Sequence, residues 1–188
     1  MAKSTGGQRS ELGPVKYGVS LRHERLVGRA IISWSRLEAA IQDIIWVILD
    51  VPLEDGRIIT ARMDAIKKMQ WIKSFSKRHL DGKPLEDMEF ILSKVADLLD
   101  DRNFIVHTSW GTLVNTGEPV GMSLRRKSQP HEIVTEAFPE RRMLEFISDV
   151  DAARNGLIAW RKQHESLPGR RTPPLYWDVY IPPEDPEQ

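Results

Sequence analysis

The spacing of hydrophobic residues along the chain predicts four long amphipathic helices. Apolar positions recur every three or four residues, the spacing of one buried helical stripe, over residues 22–50, 57–80, 85–107 and 139–165. The breaks between these segments carry helix-stopping or helix-starting residues: Pro52, Asp81-Gly82-Lys83-Pro84 and Pro139. Four such helices with short early connections predict an all-α fold built as an antiparallel four-helix bundle.

A short β-prone segment interrupts this helical pattern between the third and fourth helices. Residues 110–114 and 120–125 are rich in strand-forming side chains, and the turn-forming residues 115–119 join them as a hairpin. Residues 132–138 alternate between apolar and polar and predict a third strand. We therefore expect a small β-hairpin or three-stranded insertion at about residues 109–138. It should lie on the helices, because an isolated hairpin is only marginally stable.

The two ends of the chain differ in composition from the bundle. Residues 1–20 are polar and glycine-rich and predict a flexible N-terminal segment. Residues 168–188 contain six prolines and end in acidic residues, a composition typical of an extended or disordered tail. The predicted helical domain with its β insertion therefore spans residues 21–167.

Overall charge and composition narrow the function classes. The 27 basic residues balance the 27 acidic ones, which argues against a general nucleic-acid coating protein. The charges are unevenly distributed, because residues 57–83 contain eight Lys or Arg and two Asp. This segment is either a solvated face that attracts a neighbouring acidic helix or a basic groove.

The chain lacks cysteine, which excludes disulfide scaffolds, thiol catalysis and cysteine-based zinc sites. Four of its histidines, His23, His79, His131 and His164, show no metal-ligand spacing, so neither a metal nor a cofactor is expected. The first residues lack the apolar core of a signal peptide, and no apolar run approaches the ~20 residues that span a bilayer. The expected location is the cytoplasm.

One charged residue interrupts the apolar stripe of the third helix. That stripe consists of Leu85, Met88, Leu92, Val95, Leu99, Arg102 and Val106. Arg102 occupies a position where the pattern calls for an apolar side chain. A charge that faces a core is costly unless it is paired or reaches a wet cavity, so this arginine requires an explanation.

Two polar residues follow Arg102 on the same helix. Asn103 and His107 are four residues apart and share a face, whereas Arg102 and His107 are separated by about 140° around the helix axis. These two side chains can meet only through the reach of the arginine, a loosened last turn, or a second copy of the helix. A fixed cation, an amide and an imidazole together suit a phosphate substrate and proton transfer.

The segment Arg102-Asn103-Phe104-Ile105-Val106-His107, near the end of a bundle helix and soon followed by Trp110, resembles the signature motif of the HEPN superfamily. The resemblance implies a four-helix bundle that forms a homodimer with both motifs at a shared cleft. It also implies metal-independent RNA cleavage in toxin–antitoxin, phage-defence or RNA-processing systems, with an antitoxin or other neutralising protein as a partner. Members paired with a nucleotidyltransferase antitoxin often carry Tyr two residues after the motif His, where this chain has Ser109.

Carried over by position, Arg102 and His107 are the expected catalytic pair, with Asn103 in support. In this hypothesis His107 transfers a proton and Arg102 binds the scissile phosphate, leaving 2′,3′-cyclic phosphate ends. Further candidates are Glu38, whose carboxylate would pair with Arg102, and Trp110, whose indole would stack on a base. The basic run Arg125-Arg126-Lys127 would contact the RNA backbone.

Structural explanations of the same residues stay open at this stage. Arg102 would have no catalytic role if it formed a salt bridge to Asp97, Asp101 or Glu38 with its stem buried. His107 would then be a helix C-terminal residue favoured by the helix dipole. The chain would in that case be a non-catalytic interaction module that binds a partner protein or nucleotide, or a scaffold whose long first helix is only half covered.

Overall fold

The computed structural model describes residues 13–124 and 133–164, and these residues are mainly helical. The elements in chain order are β1 (Val15–Tyr17), α1 (Leu21–Leu49), α2 (Leu53–Thr60), α3 (Ala65–His79), α4 (Gly82–Asp97), α5 (Leu99–His107), β2 (Ser109–Leu113), β3 (Pro119–Leu124), β4 (Ile133–Ala137) and α6 (Glu140–His164). The four strands form one small antiparallel sheet. A mainly helical fold with a small β insertion is thus confirmed, and the antiparallel four-helix bundle stays a prediction.

The first and fourth predicted helices are present as α1 and α6. Helix α1 begins after Ser20, whose Oγ accepts a hydrogen bond of 3.1 Å from the backbone N–H of His23. This is the N-cap arrangement that satisfies a free donor in the first turn. Helix α1 ends at Leu49, shortly before Pro52, and α6 begins at Glu140, directly after Pro139. Capping and proline signals therefore define the starts of both helices and the end of α1.

The predicted second helix is two helices. Asp64 interrupts it by capping α3, accepting a hydrogen bond of 2.8 Å from the backbone N–H of Lys67. The new start changes which residues face inward, and the buried residues of α3 are Ala65, Lys68, Ile72 and Ser76. Ile66 is one of the apolar positions of the buried stripe predicted over residues 57–80, but it is 48% exposed, so its predicted burial is wrong. A periodicity read across residues 57–80 could not detect this change of helical phase.

The predicted third helix is also divided, at Leu98. The backbone N–H of Leu98 donates to the carbonyl of Val95, three residues earlier, at 3.2 Å. This tighter turn ends α4 at Asp97 and allows α5 to begin at Leu99. Arg102 and His107 therefore belong to a helix of nine residues rather than to the end of a long one.

The sheet has the strand order β1-β2-β3-β4. Strands β2 and β3 form the predicted hairpin, with Trp110 opposite Gly121 and a turn in which Gly117 has a φ of 72°. Strand β1 adds to β2 with Lys16 opposite Thr112. Val15–Tyr17 lie within the segment 1–20 that is predicted to be flexible, and their backbone groups pair with an otherwise open sheet edge.

The chain divides into two compact units. Unit 1 is Met1–Glu38 with Ile91–Gly156, and unit 2 is Ala39–Phe90 with Leu157–Gln188. The core of unit 1 includes Trp34, Leu37, Val95, Ile105, Val120, Phe138, Met143, Phe146 and Val150. The core of unit 2 includes Ile41, Ile44, Ile45, Ile72, Met88, Leu157 and Trp160. Leu144 is one of the apolar positions of the buried stripe predicted over residues 139–165, but it is 43% exposed, and Met143 and Phe146 are buried instead.

A buried hydrogen-bond pair anchors α2 within unit 2. The indole N–H of Trp46 donates to Thr60 Oγ1 at 3.2 Å, and that hydroxyl donates to the carbonyl of Gly56 at 2.8 Å. A Cβ atom at Gly56 would lie 2.6 Å from the Trp46 ring, so only glycine permits this approach. Across the described residues, no helix combines the length and apolarity needed to cross a membrane. The predicted tail at 168–188 lies outside the described residues.

Candidate functional site

Arg102 lies half-buried on α5 in unit 1, at the edge of a shallow apolar depression. The other residues that line it come from α1, α5 and α6: Ala30, Ile31, Trp34, Ile105, Val106 and Phe146. The guanidinium carbon lies 5.7 Å from the centroid of the Trp34 ring. The Arg102 Nε is fully buried and makes no hydrogen bond within the described part of the chain. The sequence predicts a cation among apolar residues at this position, and Arg102 does lie among them.

Within the described part of the chain, the guanidinium of Arg102 has an amide partner and no carboxylate partner. Its Nη1 donates a hydrogen bond of 3.0 Å to Asn103 Oδ1. Asp101 forms its ion pair with Arg142 instead, at 2.6 Å. Among residues 13–124 and 133–164 no ion pair joins Arg102 to Asp97, Asp101 or Glu38. Its positive charge is therefore available to an anion, and Glu38, which is part-buried, does not act as its counter-ion.

His107 is the last residue of α5 and is exposed to solvent. No hydrogen bond joins it to Arg102 in the described residues, and it does not line the depression that Arg102 borders. The helix stays α-helical through His107, so a loosened last turn does not bring the pair together. Arg102 also extends toward Asn103 rather than toward His107. Within the described residues of one chain, Arg102 and His107 are therefore not brought together by a hydrogen bond or in the depression.

Arg142 of α6 fixes the start of α5 relative to the sheet. Its Nη2 donates to Asp101 Oδ1 and its Nη1 to Glu136 Oε1, each at 2.6 Å. Its guanidinium carbon also lies 4.3 Å from the centroid of the Phe138 ring. One half-exposed arginine thus joins α5, β4 and α6 next to Arg102. The sequence offers no signal for this cluster, because Arg142 and Asp101 are 41 residues apart.

An aromatic cluster supports the other side of α5. Phe104 stacks on Phe138, with 5.4 Å between the ring centroids, and it meets Trp110 edge to face, with 5.9 Å between the ring centroids. Gly121 of β3 allows this packing, since a Cβ atom there would lie 2.3 Å from the Phe104 ring. Trp110 also donates its indole N–H to the carbonyl of Ile105 at 3.4 Å. The indole predicted to stack an RNA base is therefore engaged inside the protein, where it positions α5.

His23 is a buried polar residue that the sequence analysis missed as a site residue. It is 1% exposed, and its ring centroid lies 4.8 Å from that of Trp110. Neither ring nitrogen has a hydrogen-bond partner in the described residues. Burial lowers the pKa of His23, and the carboxylate of Glu140 opposes this only in part. The sole sequence signal is its place three residues after the capping Ser20, which favours a structural role.

The remaining candidates fall into two groups. Arg125, Arg126 and Lys127, the predicted contacts to the RNA backbone, lie outside the described residues. Within the described ranges no cluster of three or more His, Asp or Glu side chains is arranged to hold a metal ion. The candidate site is therefore defined by Arg102, Asn103 and His107 on α5.

Relatives add no constraint to this description of the site. Comparison of the chain with models of protein families, with curated proteins and with solved structures finds no match. The functional interpretation consequently depends on the chemistry and geometry of α5 itself.

Proposed function

We propose that this protein is a metal-independent endoribonuclease of the HEPN type that acts as a homodimer. The observation that carries the proposal is the state of Arg102. It is a half-buried cation with a desolvated Nε and no carboxylate partner among the described residues. An uncompensated charge at an apolar position lowers stability unless an anion binds there. The phosphate of RNA is such an anion, and an arginine fork matches its geometry.

The proposed reaction uses the 2′-hydroxyl of the substrate as nucleophile. His107 accepts the proton of that hydroxyl, and the 2′-oxygen attacks the adjacent phosphorus. The bond from phosphorus to the 5′-oxygen breaks, and the leaving oxygen takes up a proton from the imidazolium or from water. The products are a 2′,3′-cyclic phosphate and a 5′-hydroxyl. Arg102 stabilises the charge on the phosphate, and Asn103 holds the guanidinium through its hydrogen bond.

The geometry of α5 supports the proposed dimer. A single regular helix separates Arg102 from His107 by about 140°, and its exposed His107 is free to face another chain. In the proposed dimer, Arg102 of one protomer works beside His107 of its partner. Exposed apolar residues next to Arg102, Ile31 at 42% and Val106 at 39%, supply surface that such an association would bury. Toxin–antitoxin, phage-defence or RNA-processing systems are the expected setting, with an antitoxin or other neutralising protein as the regulator.

The alternative proposal is a non-catalytic interaction module that binds a nucleotide or a partner protein at Arg102. The absence of a hydrogen bond between Arg102 and His107 within the described part of one chain favours this alternative. The exposed imidazole of His107, and an Arg102 that no described carboxylate pairs with, favour the ribonuclease.

The experiment is a cleavage assay on single-stranded and structured RNA in the presence of EDTA. The wild-type protein should produce 2′,3′-cyclic phosphate ends. The His107→Ala and Arg102→Ala variants should each cleave at least about 100-fold more slowly. A wild-type protein that binds RNA or nucleotides at Arg102 without cleaving them would replace the ribonuclease by the interaction module.

Mixing the two inactive variants tests the shared site. A mixed dimer of Arg102→Ala and His107→Ala chains contains one intact pair of Arg102 and His107 across the interface. Random exchange should therefore restore about a quarter of the wild-type activity. Recovery of activity is not expected if both groups act within one chain.

A further inference from the structure

Helix α3 in unit 2 carries an exposed stripe of residues that the proposed reaction does not use. Lys67, Trp71, Ser74 and Arg78 follow one another at spacings of four, three and four residues. On an α-helix these positions lie within a narrow arc and extend over about 16 Å. All four are exposed, and Trp71 is exposed to 38% although large aromatic side chains are mostly covered. We call these four residues the α3 stripe.

No ion pair within the described residues neutralises the two cations of the α3 stripe. Residues 65–79 contain no acidic residue. Lys77, outside the stripe, has a weak ion pair with Glu89 at 3.7 Å. Among the described residues, no carboxylate forms an ion pair with Lys67 or Arg78. Both cations are therefore free to meet an external anion.

The exposed indole between the two cations identifies the class of anion. Single-stranded nucleic acid presents phosphates to Lys and Arg, and its unpaired bases stack on aromatic rings. Trp71 packs edge to face on Phe75, with 5.3 Å between the ring centroids. This contact restricts the orientation of the indole. A membrane-binding helix would need a free apolar face, but Ala65 and Ile72 of α3 are buried in unit 2. A duplex would keep its bases away from the indole.

We propose that the α3 stripe is a binding surface for single-stranded nucleic acid, with phosphates on Lys67 and Arg78 and a base stacked on Trp71. The surface is distinct in its residues from Arg102 and His107 and does not depend on RNA cleavage. In a ribonuclease it would hold the strand outside the reacting linkage. In a non-catalytic protein it would be a nucleic-acid site of its own.

The test uses a fluorescein-labelled oligothymidylate of about 12 nucleotides, the length range that one single-strand site covers. This probe lacks the 2′-hydroxyl, so the proposed reaction cannot consume it. Fluorescence anisotropy with the full chain should show binding, and Trp71→Ala should weaken it at least about fivefold. Trp71→Phe keeps a stacking ring and should lose less. The double variant Lys67→Gln/Arg78→Gln should make the slope of the log of the association constant against the log of the salt concentration shallower by about 1.4.

The matched control is Lys16→Gln/Lys162→Gln, which removes the same charge from two exposed positions on β1 and α6. It should bind like the wild type. Equal weakening by this control, or no effect of Trp71→Ala in a protein whose thermal unfolding is unchanged, would overturn the proposal. Equally tight binding of polyglutamate would assign the surface to an acidic protein instead. Because the probe cannot be cleaved, a wild-type protein that binds it through Trp71 but cleaves no RNA would support the α3 stripe and contradict the ribonuclease.

Discussion

Arg142 donates a hydrogen bond of 2.6 Å to Asp101, the residue that directly precedes Arg102 in α5. The same guanidinium donates to Glu136 and lies over the ring of Phe138. Asp101 is thereby engaged away from Arg102, and the start of α5 is held against β4 and α6. Whether Arg102 can bind an anion therefore depends on the contacts that α6 and β4 make with α5, as well as on α5 itself.

Replacing Arg142 should disturb the candidate site without touching its residues. Arg142→Met removes both ion pairs, and because Arg142 and Asp101 are 37% and 30% exposed, the loss in the free energy of unfolding should be only about 1 kcal/mol. RNA cleavage should fall more, about tenfold, because α5 is positioned less accurately. Urea unfolding and the cleavage assay measure the two effects. Arg142→Lys retains the charge without the fork, so a fully active Lys variant would argue against positioning by the fork.

Arg102 should lower the stability of the fold that it serves. Arg102→Met places an apolar chain of similar length beside Ala30, Trp34 and Ile105. We expect the free energy of unfolding to rise by about 1 kcal/mol, because a half-buried charge without a counter-ion is removed. Cleavage of RNA should be lost in the same variant. Denaturant unfolding beside the cleavage assay checks both, and a destabilised Met variant would mean that Arg102 is a structural residue.

His23 should make the protein sensitive to mild acid. Its pKa in the folded protein is lowered from 6.5 by burial, so the unfolded chain takes up the proton first as the pH falls. The free energy of unfolding should therefore decrease from about pH 6.5 down to the lowered pKa, by up to about 1.4 kcal/mol per pH unit. Asp43 acts in the opposite direction, since burial raises its pKa from 3.8 to about 6.

The His23→Phe variant separates these two contributions. It keeps a ring beside Trp110 and removes the imidazole, while Asp43 is unchanged. The wild type should lose stability relative to this variant as the pH falls below 6.5, and the difference should be constant above pH ~7. Urea unfolding across this range is the measurement. A difference that does not change with pH would mean that His23 is not the titrating group.

Helix periodicity and local signals predicted much of the chain correctly. The stripe of α1, the stripe of α6 apart from Leu144, the hairpin of β2 and β3, and the apolar position of Arg102 all follow from residues close together in sequence. The breaks at Asp64 and Leu98 were missed, because the apolar residues on either side still fit one continuous period. Strand β1 was missed because its three residues become a strand only by pairing with β2.

The sequence by itself determined the helical character of this protein and placed Arg102, Asn103 and His107 on one helix, because helix formation and side-chain chemistry are local properties. Tertiary structure alone decided what surrounds them. It paired Asp101 with Arg142, placed Trp110 inside an aromatic cluster with His23, and left Arg102 without a carboxylate in the described residues. These outcomes depend on contacts between distant segments, and no periodicity along the chain encodes which distant side chains will meet.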